Sequence, residues 1–408
     1  MYMRVDPRIS SYVVEMLPRL REMLEPDGCL YTLLLKAMYG CVQASALWYA
    51  LIRRFVEELG YKCSPTDGCV FRKRVGERIF VLLLYVDGIL AQVDDKEAER
   101  LREHLMRRFG EVQFEVGSKL SYLGMQIDIR DEGTMIDMSF YVKKLLEGTT
   151  VKGQSSPGNH NSFIVDERAQ KLEESEKKYF HSTTAKLLYL AKRARPDILT
   201  VVIFLCTRVQ DATVEDRDKL DRVLGYLRWS EEYVLVLKPY VVGKITAYVD
   251  AAYALHNDSK SHTGVVIYVG ETLVYVSSKK QKCMSKSPTE AELIGLTDNV
   301  GLIELFHEFL EFLTMRRVNP PTIYQDCNAV VSLVTKGGGQ TRTKHLRARM
   351  NLGKEMVDQG RAEVKHICAE KMEADGFSKP YNPAEHKKFA EKLVVRVNGD
   401  NGWALSKS

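Results

Sequence analysis

The sequence predicts an α/β chain of more than one domain, and three observations carry that expectation. At 408 residues it is longer than one hydrophobic core usually organises, so two or three domains are expected. Its N-terminal third alternates helical and strand patterns. From Lys244 onward the patterns follow one another as β-β-β-α-β-α-α-β, strands and helices in one continuous segment. The expected segments are 1–150, 151–240, 241–380 and a polar, partly disordered tail at 381–408.

The elements follow from periodicity and punctuation. Ala44–Leu59 has helical spacing and stops at Gly60. Arg78–Tyr85, RIFVLLLY, is a short apolar run rich in strand formers. Asp94–Arg108 is a charged amphipathic helix and Leu120–Ile129 a strand. Gly153–Asn161, GQSSPGNHN, has linker composition. Helices are expected at Lys177–Arg193 and Val214–Arg228. In the last segment the strands are Ile245–Asp250, Gly264–Val269 and Leu273–Ser277. A long helix starts at Pro288, with Leu293, Leu296, Val300, Ile303, Leu310 and Leu313 on one stripe, and Pro320-Pro321 stops it. Strand Thr322–Gln325, helix Asn328–Thr335, a Gly337-Gly338-Gly339 turn, helix Lys344–Gln359 and strand Ala362–Ile367 complete the order.

Composition narrows the function classes. Hydrophobic residues make up 45% and charged residues 28%, and the formal net charge is +5. Such a balance permits a nucleic-acid partner without arguing for one. The cysteines at 29, 41, 63, 69, 206, 283, 327 and 368 have no C-x-x-C spacing, so neither a zinc site nor a disulfide framework is indicated. The first twenty residues lack the apolar core of a signal peptide. The run at Ile79–Tyr85 is too short to cross a bilayer. An intracellular protein, cytoplasmic or nuclear, with no membrane partner is expected.

Four carboxylates fall at element ends. Asp250 ends an apolar strand, Glu292 lies in the first turn of the long helix, Asp326 ends TIYQD, and Asp375 opens a last helical turn. Any one of them taken alone reads as a helix cap. Four in this order read as a site, because clustered acids are costly to ionise together unless a cation neutralises them. Mg²⁺ prefers such oxygens, and two ions about 4 Å apart can clamp a phosphodiester displacement.

YVDAAY (Tyr248–Tyr253), SSKKQKCMSKSPTEAEL (Ser277–Leu293), IYQDCNAV (Ile323–Val330), RTKHL (Arg342–Leu346) and ADGFSKP (Ala374–Pro380) resemble the ribonuclease H domain of copia-type LTR retrotransposons. The resemblance implies a mixed sheet flanked by helices, two Mg²⁺ ions (Mn²⁺ as a substitute), and cleavage of the RNA strand of an RNA–DNA hybrid. It implies Asp250, Glu292, Asp326 and Asp375 as catalytic metal ligands, with Glu290 the reserve for Glu292. Lys279, Lys280, Lys282 and Lys286, just before the long helix, are candidates for hybrid phosphates, as are Arg342, Lys344, His345, Arg347 and Arg349. For each basic group a solvated surface is an equal expectation. His366 is expected to be packed or exposed rather than catalytic.

Upstream, LLLKAMYGCVQASALWY (Leu33–Tyr49), LLLYVDGIL (Leu82–Leu90) and LSYLGMQI (Leu120–Ile127) resemble successive reverse-transcriptase motifs of the same family. YFHSTTAKLLYLAKRARPDIL (Tyr179–Leu199) and DRVLGYLRW (Asp221–Trp229) resemble its connecting segment. The implied organisation is a truncated palm and thumb remnant at 1–150, a linker and helical connection at 151–240, and a ribonuclease H-like domain at 241–380. Gln43 matches the family's substrate-side glutamine. The family's hairpin carries two aspartates, whereas this chain has Asp87 followed by Gly88, and the strand bearing the first catalytic aspartate is expected ahead of MYMRVDP. Asp87 is thus the one polymerase acid kept. The expected function is hybrid-specific ribonuclease H activity without polymerisation. The alternatives are a non-catalytic nucleic-acid-binding relic and a piece of a longer active polyprotein.

Overall fold

The computed structural model describes residues 2–35, 38, 40–239, 243–337 and 344–397, with backbone alone at 344 and 345. Gly338, Gly339 and Arg342 lie outside the described residues, as do the side chains of Lys344 and His345. The chain divides into two compact units, with the boundary between Leu101 and Arg102.

In the first unit β1 (Tyr2–Val5) leads into α1 (Pro7–Met16), which Asp6 caps by accepting from the Arg8 N–H, with Pro7 at the first helical position. β2 (Leu30–Leu33) returns antiparallel to β1. α2 (Ala44–Glu58) then buries Ile52, Phe55 and Val56. β3 (Lys62–Cys63), β4 (Val70–Val75), β5 (Arg78–Tyr85) and β6 (Gly88–Gln92) form an antiparallel sheet in sequence order. The β5 run alternates, with Phe80, Leu82 and Leu84 inside. Lys73 and Glu97 pair at 2.6 Å with both side chains nearly buried; Glu97 lies on α3 (Asp95–Phe109).

The second unit opens with β7 (Lys119–Tyr122), β8 (Met125–Arg130) and β9 (Gly133–Asp137). The single strand expected at Leu120–Ile129 is instead a hairpin. Leu123 and Gly124 both have positive φ, 50° and 73°, the two-residue turn that matches strand twist. α4 (Ser139–Leu146), α5 (Glu174–Ala191), α6 (Leu199–Arg208) and α7 (Val214–Trp229) follow, then β10 (Tyr233–Leu237). The expected linker is packed rather than loose: Ser156, Pro157 and Gly158 are buried, the Gln154 N–H donates to the Gly225 carbonyl at 3.0 Å, and Arg222 donates to Ser156 Oγ.

β11 (Ile245–Ala252), β12 (His262–Val269), β13 (Thr272–Lys280), α8 (Pro288–Thr314), β14 (Thr322–Gln325), α9 (Asn328–Lys336), α10 (Lys344–Asp358), β15 (Glu363–His366) and α11 (Asp375–Ser378) realise the expected order. The sheet runs β13-β12-β11-β14-β15, antiparallel across its first three strands and parallel across β11, β14 and β15. Ile245, Ala247 and Val249 share a core with Leu293, Leu296 and Val300 of α8 and Val330 and Val334 of α9. Tyr248, Val266 and Tyr268 belong to a second core built on α5, α6, α7 and α11.

The tail expected at 381–408 contains a helix and a strand among its described residues. Asn382 and Glu385 form a capping box for α12 (Pro383–Leu393), which buries His386, Phe389, Ala390 and Leu393. β16 (Val394–Arg396) then pairs with β10, completing a second sheet in the order β16-β10-β9-β8-β7. A wholly buried ion pair fastens this region: Arg195 donates to both carboxylate oxygens of Asp197, at 2.9 and 2.8 Å, and to Ser230. Tyr226 donates to Asp197 as well, and His386 bonds its carbonyl.

Candidate metal centre

The topology brings three of the sequence-expected acids together. β11 and β14 are neighbours and parallel, so Asp250 and Asp326 come to the same end of the sheet. α8 starts beside that end. Ser287 caps it by accepting from the Glu290 N–H, and Pro288 occupies its first turn. Each of Asp250, Glu292 and Asp326 offers a carboxylate oxygen within 4.8 Å of the others, the one such group of three among the described residues.

The two glutamates of α8 differ in their contacts. The Glu290 carboxylate accepts from the Lys286 N–H at 2.9 Å and so serves the entry to α8. Glu292 accepts from the Ala251 N–H at 3.2 Å and from the Gln325 amide at 3.2 Å, among the acids.

Asp375 lies close but is otherwise engaged. Its carboxylate pairs with Lys379 at 2.6 Å and accepts from the Tyr381 hydroxyl at 2.5 Å. The neighbouring Ser378 hydroxyl donates to Asp250. This approach needs a glycine opposite Asp250. A Cβ on Gly264 would collide with the Ala374 carbonyl and the Ser378 N–H.

The electrostatics describe a site short of positive charge. Burial raises the Asp250 pKa, opposed by the Ser378 hydroxyl and reinforced by Asp375 and Asp326. Burial, then Asp250 and Asp326, raise that of Glu292. Burial raises that of Asp326. The Lys379 side chain is partly exposed. Burial works against its charge, yet Asp375, Asp250 and Asp326 hold its pKa above the ordinary lysine value. A compact set of hard carboxylate oxygens whose mutual repulsion a cation would relieve fits Mg²⁺ or Mn²⁺.

The other candidates fall elsewhere. Asp87 sits exposed at the tip of the β5–β6 hairpin, after Val86 at φ 55°, and is outside the acid group. Gln43 is exposed at the N-cap of α2. Lys279, Lys282 and Lys286 are exposed, whereas Lys280 pairs with Asp258 at 2.9 Å. Arg347 is exposed, and Arg349 is taken up by Asp298 and Thr297. His366 is exposed, with its ring nitrogen 3.1 Å from the Asp326 carbonyl.

Gln325, Ser378, Lys379 and Tyr381 were not singled out by the sequence. Gln325 did leave a signal: it shares the buried phase of β14 with Ile323, where a polar side chain must find partners. The described helices include none long and apolar enough to cross a membrane.

Residues 22–157 match a family model described as reverse transcriptase (RNA-dependent DNA polymerase). Over 369 residues the chain is 29% identical to the retrovirus-related Pol polyprotein from transposon RE1 of Arabidopsis thaliana, covering 89% of this chain and 25% of that protein. It is 28% identical over 360 residues to the Pol polyprotein from transposon TNT 1-94 of Nicotiana tabacum, covering 84% and 26% respectively. The chain thus resembles copia-type Pol polyproteins along most of its length and spans about a quarter of theirs. Among solved structures, RNase H1 from the halophilic archaeon Halobacterium salinarum NRC-1 aligns with 34% of this chain and 95% of its own at 16% identity, with a TM-score of 0.27.

Proposed function

We propose that residues 241–380 are a divalent-metal-dependent hydrolase acting on the RNA strand of RNA–DNA hybrids, and that the reverse-transcriptase-like half does not polymerise. The observation that carries the first part is the meeting of Asp250, Glu292 and Asp326 from three different elements within 4.8 Å. These three, with Asp375 as the fourth, would hold two Mg²⁺ or Mn²⁺ ions. When bound, the ions supply the Lewis acidity for phosphodiester hydrolysis.

The chain's own residues position and screen. Ser378 and Ala251 hold Asp250 and Glu292 by hydrogen bonds. Exposed Lys279 and Lys282, ahead of α8, offer charge to phosphates, while Lys280 is engaged by Asp258. Recognition of a hybrid would rest on groove shape and 2′-hydroxyls rather than on base sequence. The protein would act inside the cell, in cytoplasm or nucleus, where such hybrids form.

The second part rests on Gly88. A polymerase hairpin of this family carries two aspartates, and here Asp87 stands beside a residue with no side chain to ligate a metal.

The test is cleavage of an end-labelled RNA–DNA hybrid by the purified 408-residue chain, with Mg²⁺ or Mn²⁺ and with EDTA. Cleavage of the RNA strand that EDTA abolishes is expected. A folded chain that binds the hybrid and leaves it intact would favour the binding relic instead.

A further inference from the structure

We propose that Gln325 is the positioning residue of the acidic site, joining its three ligands through one uncharged amide; this rests on the metal-site reading above. Gln325 is fully buried at the end of β14. Its Nε2 donates to Glu292 Oε2 at 3.2 Å. Its Oε1 accepts from the backbone N–H groups of Asp326 at 2.9 Å and Cys327 at 3.3 Å. On the far side, Glu292 Oε1 accepts from the Ala251 N–H, next in sequence to Asp250. The hydrogen bonds therefore run without a break from the backbone beside Asp250, through Glu292 and Gln325, to the backbone of Asp326.

An amide suits that place for a physical reason. Two backbone N–H groups converge where β14 ends and α9 begins, and each needs an acceptor once buried. Glu292, from a different element, needs a donor. Glutamine supplies both sides without net charge. A lysine or arginine here would neutralise the cluster and compete with a metal. A leucine or methionine would leave the N–H groups unpaired and Glu292 free to turn. The groups that orient metal ligands commonly change metal affinity by about 10- to 100-fold when removed.

The experiment compares the full chain with Gln325→Met, which keeps the volume and loses the bonds, and Gln325→Asn, which keeps the polarity and loses the reach. Free Mn²⁺ is followed by electron paramagnetic resonance during titration, and hybrid cleavage is measured against Mg²⁺ concentration. Gln325→Met is expected to weaken Mn²⁺ binding by about 10-fold or more. The Mg²⁺ concentration for half-maximal cleavage should rise in proportion, with rate largely recovered at saturating Mg²⁺. A residue that merely supported the fold would lower thermal stability and leave metal affinity unchanged. Should Gln325→Met fail to fold, Gln325→Asn carries the same expectation at smaller size.

Wild-type Mn²⁺ affinity in either folded variant overturns the inference and leaves the hydrolase reading intact. Wild-type chain that binds Mn²⁺ without cleaving hybrid overturns the hydrolase reading, and Gln325 is then judged on Mn²⁺ binding alone. Wild-type chain that binds no Mn²⁺ overturns both.

Discussion

Two places in this chain present aspartate near the end of a β-strand, and they have very different surroundings. At the β5–β6 hairpin, Asp87 is exposed, its neighbour is Gly88, and it takes no part in the acid group. In β11, which runs two residues past the expected end at Asp250, Asp250 is buried, a serine donates to it, and two further carboxylates lie within 4.8 Å. The hairpin delivers a single carboxylate to an exposed turn, outside any group of three such residues among those described. The sheet shows what else is required: a second strand parallel to the first, a helix entering from the side, and donors that fix each oxygen. The apolar surface differs in the same sense. The first unit exposes Tyr2, Tyr12, Met16, Leu35 and Val42, while the β11 sheet has a core on each face.

The largest test of that contrast is to remove one charge from each place. Asp250→Asn or Asp326→Asn should lower hybrid cleavage by about three orders of magnitude, with hybrid binding kept or strengthened because a negative charge leaves the groove. Asp87→Asn should leave cleavage unchanged. Cleavage that survives both sheet substitutions would place the chemistry elsewhere.

A second comparison concerns the fastening of the second unit. Asp197→Ala leaves the Arg195 guanidinium buried without its partner, and should cost about 3–5 kcal/mol in denaturant unfolding. An exposed pair in the first unit, broken by Asp27→Ala opposite Arg4, should cost far less. Equal losses would show that the buried network is not what holds the unit.

The third test separates the two glutamates of α8. Glu292→Gln should abolish most cleavage, whereas Glu290→Gln should cost only the few tenths to about 1 kcal/mol of a weakened helix entry. The reverse order would exchange their roles.

A fourth test uses pH. Asp250, Glu292 and Asp326 have raised pKa values in the fold, through burial and then through one another. The folded chain therefore keeps protons that the unfolded chain has already released. Metal-free stability should be greatest in mild acid and fall as pH rises through the folded values. Glu292→Gln should flatten that fall, and Mg²⁺ should oppose it by several degrees in thermal unfolding above neutral pH. A metal-free stability that climbs steadily from pH 5 to 8 would contradict the raised values.

The smallest expected effect is none. Gly88→Asp should not produce primer extension by this 408-residue chain, because one restored carboxylate leaves the hairpin without the buried, bonded company seen at β11. Template-dependent nucleotide incorporation by that variant would erase the contrast.

The acid site was legible because its residues sit in short motifs whose order survives folding unchanged. β5 and β14 have the bounds their composition suggests. What escaped was decided by partners distant in sequence. α6, LTVVIFLCTR, is rich in β-branched residues and reads poorly as a helix, and only burial on nearly every side explains it. The polar stretch after Pro380 hides Phe389 and Leu393, whose helix takes its meaning from Arg195, Tyr226 and Asp197 far upstream. The buried polar Gln325 marks a need for partners, but which partner meets it is set by Glu292, thirty-three positions away in sequence.

The sheet β16-β10-β9-β8-β7 has a consequence for how the chain comes into being. β10 and β16 are neighbours, yet the whole β11–β15 sheet is spelled out between them in sequence. During synthesis β10 can pair with β9 as soon as it emerges, but its other edge stays open until Val394–Arg396 has been made. The intervening sheet thus has time to form while that edge waits. A ribosome that stalled near Pro380 would release a chain with Val234 and Leu235 along an unpaired edge, a ready template for adhesion between nascent copies.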